Sequence, residues 1–412
     1  MQDYRNVFAL IAAVALLQVA GGLLGIVTPL GLDAMGAGTG TVGLVGTLNS
    51  IGFMVGAWYS TGLIRRFGNI RVYAAGGAAM SFTFLAMYLA QSIWAWSTIR
   101  LVQGAALAVM FSSAEAWLGA AMPAAKRGSI SGVYHLVAKI ALILGPFIIV
   151  GASITHPEPY VWGAMFLSLA LLPITLTKRD QPPPPDREAL SIVALFKLAP
   201  SGVFACFMAG VMNTGALALL PVYAKSELAG LSDSAATIGA VAAGAAWTGA
   251  LISQWPAGRL SDLVDRRFVI AGLCLASGLA ALALALGGAL PIYAALGLLA
   301  LWGAGSLSFY GVAVAHILDW TPSQKIAQAI AGILFVWAFG SVIGPVLAGL
   351  AMKTGFGPGG LFLFVGVMNF VLVFAVLARK AVRGEPPDDE QAPWTPTTPL
   401  LAASGEVDPR SD

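Results

Sequence analysis

The chain has 412 residues, 58% of them hydrophobic and only 10% charged, with a mean hydropathy of +0.83. A soluble chain of this length carries about 25% charged residues, so the composition excludes a soluble enzyme and demands an integral membrane protein. The formal net charge of +3 builds no surface for nucleic acid, because the basic residues sort by membrane side. The two cysteines, Cys206 and Cys274, fall in separate apolar runs and read as packing residues rather than a disulfide, and no metal-ligand spacing is present.

Crossing a bilayer as a helix takes about 20 apolar residues. Twelve segments meet that need, at roughly 7–31, 40–64, 72–90, 93–121, 129–154, 160–177, 201–224, 234–258, 268–287, 291–317, 327–351 and 359–378. The first is too long for a signal-peptide core and has no convincing cleavage site, so it reads as an uncleaved span. Short turns join the spans except between the sixth and seventh. There KRDQPPPPDRE interrupts the chain with a stiff proline run, and the amphipathic ALSIVALFKL that follows is expected to lie along the membrane surface. The expected organisation is therefore a six-helix bundle over 1–177, a linker with an interfacial helix over 178–199, a second six-helix bundle over 200–380, and a disordered tail over 381–412 that is rich in proline and acid.

An even number of spans puts both termini on one side. That side carries 18 of the 22 lysines and arginines, the other side only Lys225 and Lys353, and Arg100 and Lys139 lie within spans. The bias predicts cytoplasmic termini.

The two halves repeat. TGLIRRFGNIR at 61–71 corresponds to GRLSDLVDRR at 258–267, with Arg65 and Asp262 197 residues apart. Gly145-Pro146 and Gly344-Pro345 are 199 apart, as are Gly104 and Gly303. A near-constant offset across unrelated residue types predicts a duplicated six-helix unit with binding at the midplane between halves. Forty-nine glycines suit close helix approach and bending.

These features resemble the major facilitator superfamily over residues 5–380. Gly258, Asp262, Arg266 and Arg267 match its cytoplasmic loop motif. The first copy departs, with Thr61 and Arg65 where glycine and aspartate are usual, and with Arg66 and Gly68 following. Arg100, Gln103 and Gly104 match its fourth-span signature. Gly132, Gly145 and Pro146 keep part of the fifth-span antiporter pattern, with Ala141 replacing a glycine. EAWL at 115–118 and QWPAGRLSDLVDRR at 254–267 are similar to the YcaD-like bacterial branch. The resemblance implies an all-α fold of twelve transmembrane helices in two pseudo-symmetric six-helix bundles. It also implies that the loop carboxylate latches the halves together and that Arg100 faces the cavity. A carboxylate stabilises a helix N-terminus, so Asp262 is expected to latch near Gly128 and Ser129. Arg65 is repelled there, which makes the latch one-sided, and the plainer reading of Arg65 and Arg66 is as topology markers.

Trp94 to Ile154 is the most informative stretch. Its two apolar runs, joined by the turn Pro123 to Arg127, contain Arg100, Glu115, His135 and Lys139. An ionisable residue in hydrocarbon costs a few kcal/mol or more and normally faces a bundle interior or aqueous cavity. Glu115 and His135 lie ten residues either side of the turn, roughly 15 Å deep on neighbouring antiparallel helices. His135 and Lys139 share a helix face. Two readings stay open: these groups line an aqueous cavity with Glu115 or His135 exchanging protons, or they form a satisfied ion pair that fixes packing. Glu115 has the further option of pairing with Lys126 or Arg127. The carboxy-terminal half contributes Asn213, Gln254, Trp302, Tyr310 and Trp337, and the tryptophans singly read as packing or interfacial residues. Arg100 and Lys139 against Glu115 leave the cavity at +1, which predicts anionic or carboxylate-bearing amphiphiles.

The expected activity is secondary transport of a small organic solute by alternating access in a bacterial cytoplasmic membrane. Proton-driven export is the first reading, with the proton as coupling ion and no cofactor or metal. An uncoupled or symport uptake facilitator for a sugar or metabolite is the second, and a non-transporting sensor or assembly factor the third. No GxxxxGK[ST] loop is present, which argues against direct ATP use, and no nucleophile, metal or paired-carboxylate set suggests an enzyme. The chain is expected to act as a monomer in the lipid bilayer.

Overall fold

In hydrocarbon every backbone N–H and C=O must be satisfied within its own segment, so an apolar run of this length becomes a helix. The structure, a computed structural model, describes residues 2–122, 127–176, 189–287 and 290–381 together with Trp394 and Pro396. The first half contains α1 (Gln2–Ala34), α2 (Thr39–Phe67), α3 (Asn69–Leu89), α4 (Ile93–Ala121), α5 (Arg127–Leu144) and α6 (Glu158–Thr175). A short α7 (Ile192–Leu198) precedes the second half: α8 (Pro200–Glu227), α9 (Ala235–Ser261), α10 (Arg266–Leu286), α11 (Ile292–Ser306), α12 (Phe309–Asp319), α13 (Ile326–Ala351) and α14 (Gly360–Lys380). Among the described residues eleven spans are long and apolar enough to cross a membrane, with α11 and α12 together forming one of them. The twelfth, α6, has 18 residues, roughly 27 Å of helix, and packs between α1 and α3. The fold is thus twelve transmembrane helices in two six-helix bundles.

The internal repeat is visible as close helix contact. Gly104 of α4 lies against the Asn49 carbonyl of α2, and Gly52 of α2 against the Leu101 carbonyl of α4. In the second half Gly303 lies against the Ala246 carbonyl and Gly249 against the Ala300 carbonyl. A Cβ at any of these four positions would collide with backbone. The two reciprocal pairs are the same contact made twice, which is why the glycines recur at a fixed offset.

The duplicated Gly-Pro pairs behave differently. Pro146 has no N–H for the Leu142 carbonyl, and the helix tightens into a 3₁₀ turn over Gly145–Ile149. The expected span to 154 therefore ends early as α-helix. Helix α13 runs unbroken through Pro345. The Thr214 hydroxyl, which donates to the Gly210 carbonyl of its own helix at 2.5 Å, also lies 3.4 Å from the Ser341 carbonyl that Pro345 leaves without an amide.

A second departure lies in the tenth span, expected as one helix over 291–317. It breaks between Ser306 and Phe309. Asn213 of α8 braces the break, its amide nitrogen donating to the Ser306 carbonyl at 2.6 Å and its oxygen accepting from the Ser306 hydroxyl at 2.7 Å. Ser308 donates to the Ala250 carbonyl at 3.2 Å. Broken helices at membrane depth survive only where the freed polar groups find such partners.

The linker KRDQPPPPDRE and most of the tail lie outside the described residues. The expected surface helix over 189–198 is present as α7. Ser191 caps it by accepting from the Ala194 N–H at 3.2 Å. Leu195 is buried towards Gly332 of α13, while Val193 and Phe196 are exposed.

The halves meet mainly through α2 and α13. On the side away from the termini they are tied by Lys225 to Asp33 at 2.6 Å, by the Thr39 hydroxyl to the Gly349 carbonyl at 3.0 Å, and by the Gly151 N–H to the Thr237 hydroxyl at 3.1 Å. Helices α4 and α13 make no comparable packing on the termini side among the described residues.

Gly303→Val is expected to abolish recovery of monodisperse protein in detergent by size-exclusion chromatography. Gly297→Ala in the same helix, where a Cβ meets open space, should leave the elution profile unchanged.

Candidate functional site

Between the halves lies a cavity of about 320 Å³, within the range of small-molecule sites. Helices α1, α2, α4 and α5 line it from one half and α8, α9, the α11–α12 break and α13 from the other. Its walls are mostly apolar. Polar groups come from Gln18, Thr28, Asn49, Ser50, Asn213, Thr214 and Ser341, and the charge comes from Arg100 and Lys139, with His135 beside them. Among the described residues no carboxylate lines it.

Each cation is positioned by a named neighbour. Arg100 donates to the Gln103 oxygen at 2.9 Å, one helical turn along α4. Gln103 is itself buried and reaches the Met87 sulfur at 3.5 Å. Gln103 therefore orients the guanidinium and does not line the cavity. Lys139 donates to the Gln254 side-chain oxygen, a bond from α5 to α9 that joins the two halves. His135 lies one turn before Lys139 on α5, is buried, packs its ring against Tyr134, and has no hydrogen-bond partner for Nδ1 among the described residues.

The structure thus brings together six of the nine residues singled out for binding outside the loop motifs: Arg100, His135, Lys139, Asn213, Tyr310 and Trp337. Trp337 stands edge-on to Phe53 of the other half, with ring centroids 5.8 Å apart. Glu115 is 1% exposed and Trp302 is fully buried, and neither belongs to the cavity wall. Trp302 packs on Phe362 at 5.5 Å, a core contact within the second half. Asn213 reaches the cavity wall, but its amide is committed to Ser306. Gln18, Thr28, Asn49, Thr214 and Ser341 were not singled out from sequence, since lone polar residues in apolar spans carry no motif.

The loop motifs differ in the two halves. In the first, Gly68 takes φ +82°, which only glycine adopts readily, to turn α2 into α3, and Arg66 lies over the Phe67 ring at 5.1 Å. In the second, Arg266 is 4% exposed and binds Asp319 at 2.7 and 3.3 Å, Ser261 at 3.1 Å and Asp262 at 3.3 Å. Arg267 binds Asp265 at 2.9 Å, and Lys380 approaches the same carboxylate at 3.6 Å. These arginines tie α10 to the ends of α12 and α14. The expected latch of Asp262 to the start of α5 is not the arrangement present. Among the described residues its carboxylate accepts from Arg266 and from the Trp394 backbone N–H at 2.9 Å.

Comparison with known proteins fits this geometry. The family model of the Major Facilitator Superfamily matches residues 9–247 and 203–407. The chain belongs to that superfamily. Curated relatives include the "Uncharacterized MFS-type transporter YcaD" of Salmonella heidelberg (strain SL476), 26% identical with 90% of this chain and 95% of that protein covered. Another is the "Uncharacterized MFS-type transporter Ent638_1421" of Enterobacter sp. (strain 638), also 26% identical, with 93% and 97% covered. Among solved structures, a D-xylose-proton symporter aligns with a TM-score of 0.72 at 15% identity over 93% of this chain and 98% of that one. A bacterial homologue of the human lysosomal transporter Spinster, in an inward-facing and occupied conformation, aligns at 0.72 and 15% over 95% and 98%. The chain is a membrane transporter of this superfamily rather than an enzyme.

Burial works to raise the Asp265 pKa, but hydrogen bonds from the Arg267 side chain and backbone N–H, with the charges of Arg267 and Lys380, hold it below the ordinary carboxylate value. A depressed native pKa adds stability that is complete above the unfolded value of about 3.9 and is lost as pH falls through the native one. Acid unfolding followed by tryptophan fluorescence should show this loss in the parent protein and its absence in Asp265→Asn. Asp319→Ala removes the partner of a buried arginine and is expected to cost about 3–5 kcal/mol, read as a lowered midpoint in denaturant.

Proposed function

We propose that the chain carries a small anionic amphiphile across the membrane by alternating access, coupled to protons. The carrying observation is the cavity between the halves, which presents Arg100 and Lys139 with no carboxylate among the described residues, set in an apolar and aromatic wall. A carboxylate or similar anion there meets charge-assisted donors, while Tyr310 and Trp337 supply surface for an apolar body. Lys139 is held by Gln254 of the opposite half. An anion that takes over the ammonium frees that link between halves, which ties occupancy to rocking.

The proton carrier favoured by this geometry is His135, which faces the cavity beside Lys139. A proton on its ring adds positive charge where the anion sits, so proton and anion bind cooperatively, and the two travel together. Export by antiport, the first expectation from the sequence, requires proton and solute to compete. It is the second reading, favoured by Glu115, a carboxylate sealed behind the wall on α4. The excess of lysine and arginine on the termini side supports cytoplasmic termini in a bacterial inner membrane, and a cavity built entirely from one chain suits a monomer.

Flux of fluorescent fatty-acid and aryl-carboxylate probes in proteoliposomes under two opposed pH gradients tests the reading. Solute moving with the proton gradient supports cotransport, movement against it supports antiport, and indifference to it supports uniport. Lys139→Ala and Arg100→Ala should each lower anion flux at least tenfold. Undiminished flux in both variants would rule out the anionic site.

A further inference from the structure

The sequence gives no reason to place the tail anywhere, yet Trp394, fourteen residues beyond the end of α14 at Lys380, is only 9% exposed. Its indole lies on Gly258 near the end of α9. The three nearest atoms that a Cβ at 258 would meet all belong to that ring. Its backbone N–H donates to the Asp262 carboxylate at 2.9 Å. Gly258 and Asp262 are one helical turn apart, so one face of the α9 terminus supplies both the notch for the ring and the acceptor for the amide.

We infer that the notch over Gly258 and Asp262 is a docking site for the chain's own C-terminal segment, which holds the termini side of the transporter open while Trp394 is seated. Asp262 carries a negative charge at the mouth of the bundle and is the group able to engage a helix N-terminus of the other half. With Trp394 and Arg266 as its partners, that charge is engaged within its own half. The rest of the structure agrees: the far side is closed by Asp33–Lys225 and Thr39–Gly349, and α4 makes no comparable packing on α13 on the termini side. The seated ring requires the glycine. Within 4 Å its three nearest foreign atoms are indole atoms alone, so Gly258→Ala evicts the ring while suiting the helix better than glycine. The indole N–H makes no hydrogen bond among the described residues, so phenylalanine should substitute for tryptophan at 394.

Two readouts, neither needing a known solute, test the docking and its effect. Spin labels at Leu263→Cys and Pro396→Cys in full-length protein should give one short, narrow distance, the native cysteines being buried. Gly258→Ala and Trp394→Ala should broaden it, and Trp394→Phe should retain it. A broad distribution in the parent, or a narrow one that survives Gly258→Ala, overturns the docking. Labelling of Ala218→Cys in the cavity by an impermeant maleimide from the termini side should slow at least threefold when the chain is ended after Arg383. An unchanged rate overturns the hold on the open side. Either result stands whatever the cavity carries, so a failure here is separate from a failure of the anion reading.

Discussion

An unsolvated positive charge cannot be left in hydrocarbon, and this protein keeps two of them at depth on one bundle. Arg100 and Lys139 have to face something other than lipid, and the facing surface is supplied by the other half of the chain. That requirement fixes which sides of α4 and α5 turn inward, sets a cavity between the bundles, and gives the second half a reason to present Gln254 and a broken span there. Removal of the charges would leave two bundles free to pack as an ordinary apolar interface. Their presence makes the interface a polar one, with Lys139 bonded across it to Gln254.

The second half answers with polarity instead of charge. Its buried ionised side chains gather at the termini-side edge, where Arg266 and Arg267 are neutralised by Asp319 and Asp265 and tie helix ends to each other. Duplication thus produced two units with the same helix contacts and opposite electrical habits. One unit stores charge at the centre and has Arg65 in its loop motif where the other copy has Asp262. The other stores charge at the rim and keeps its centre neutral.

The fold was legible because its signals are strong and local. Apolar length marks a span regardless of context, and the paired glycines Gly104 and Gly303 recur because a carbonyl occupies the place of a side chain in both halves. The cavity was legible through its charges, since Arg100 and Lys139 have few alternatives in a bilayer. The place of Glu115 was not legible, because burial alone does not say whether a side chain faces a void or a neighbour, and that depends on helix rotation, which no single residue encodes. The break at Ser306–Phe309 was hidden because Asn213, ninety-three residues away, is what makes it tolerable.

The interrupted tenth span has a mechanical consequence. Its counterpart in the first half, α4, is one uninterrupted rod of 29 residues, whereas α11 and α12 are two short levers that meet at a joint beside the cavity. A rod passes any tilt from one membrane face to the other undiminished. A jointed pair absorbs part of it at the elbow, so the two membrane faces of the second half need not move in step.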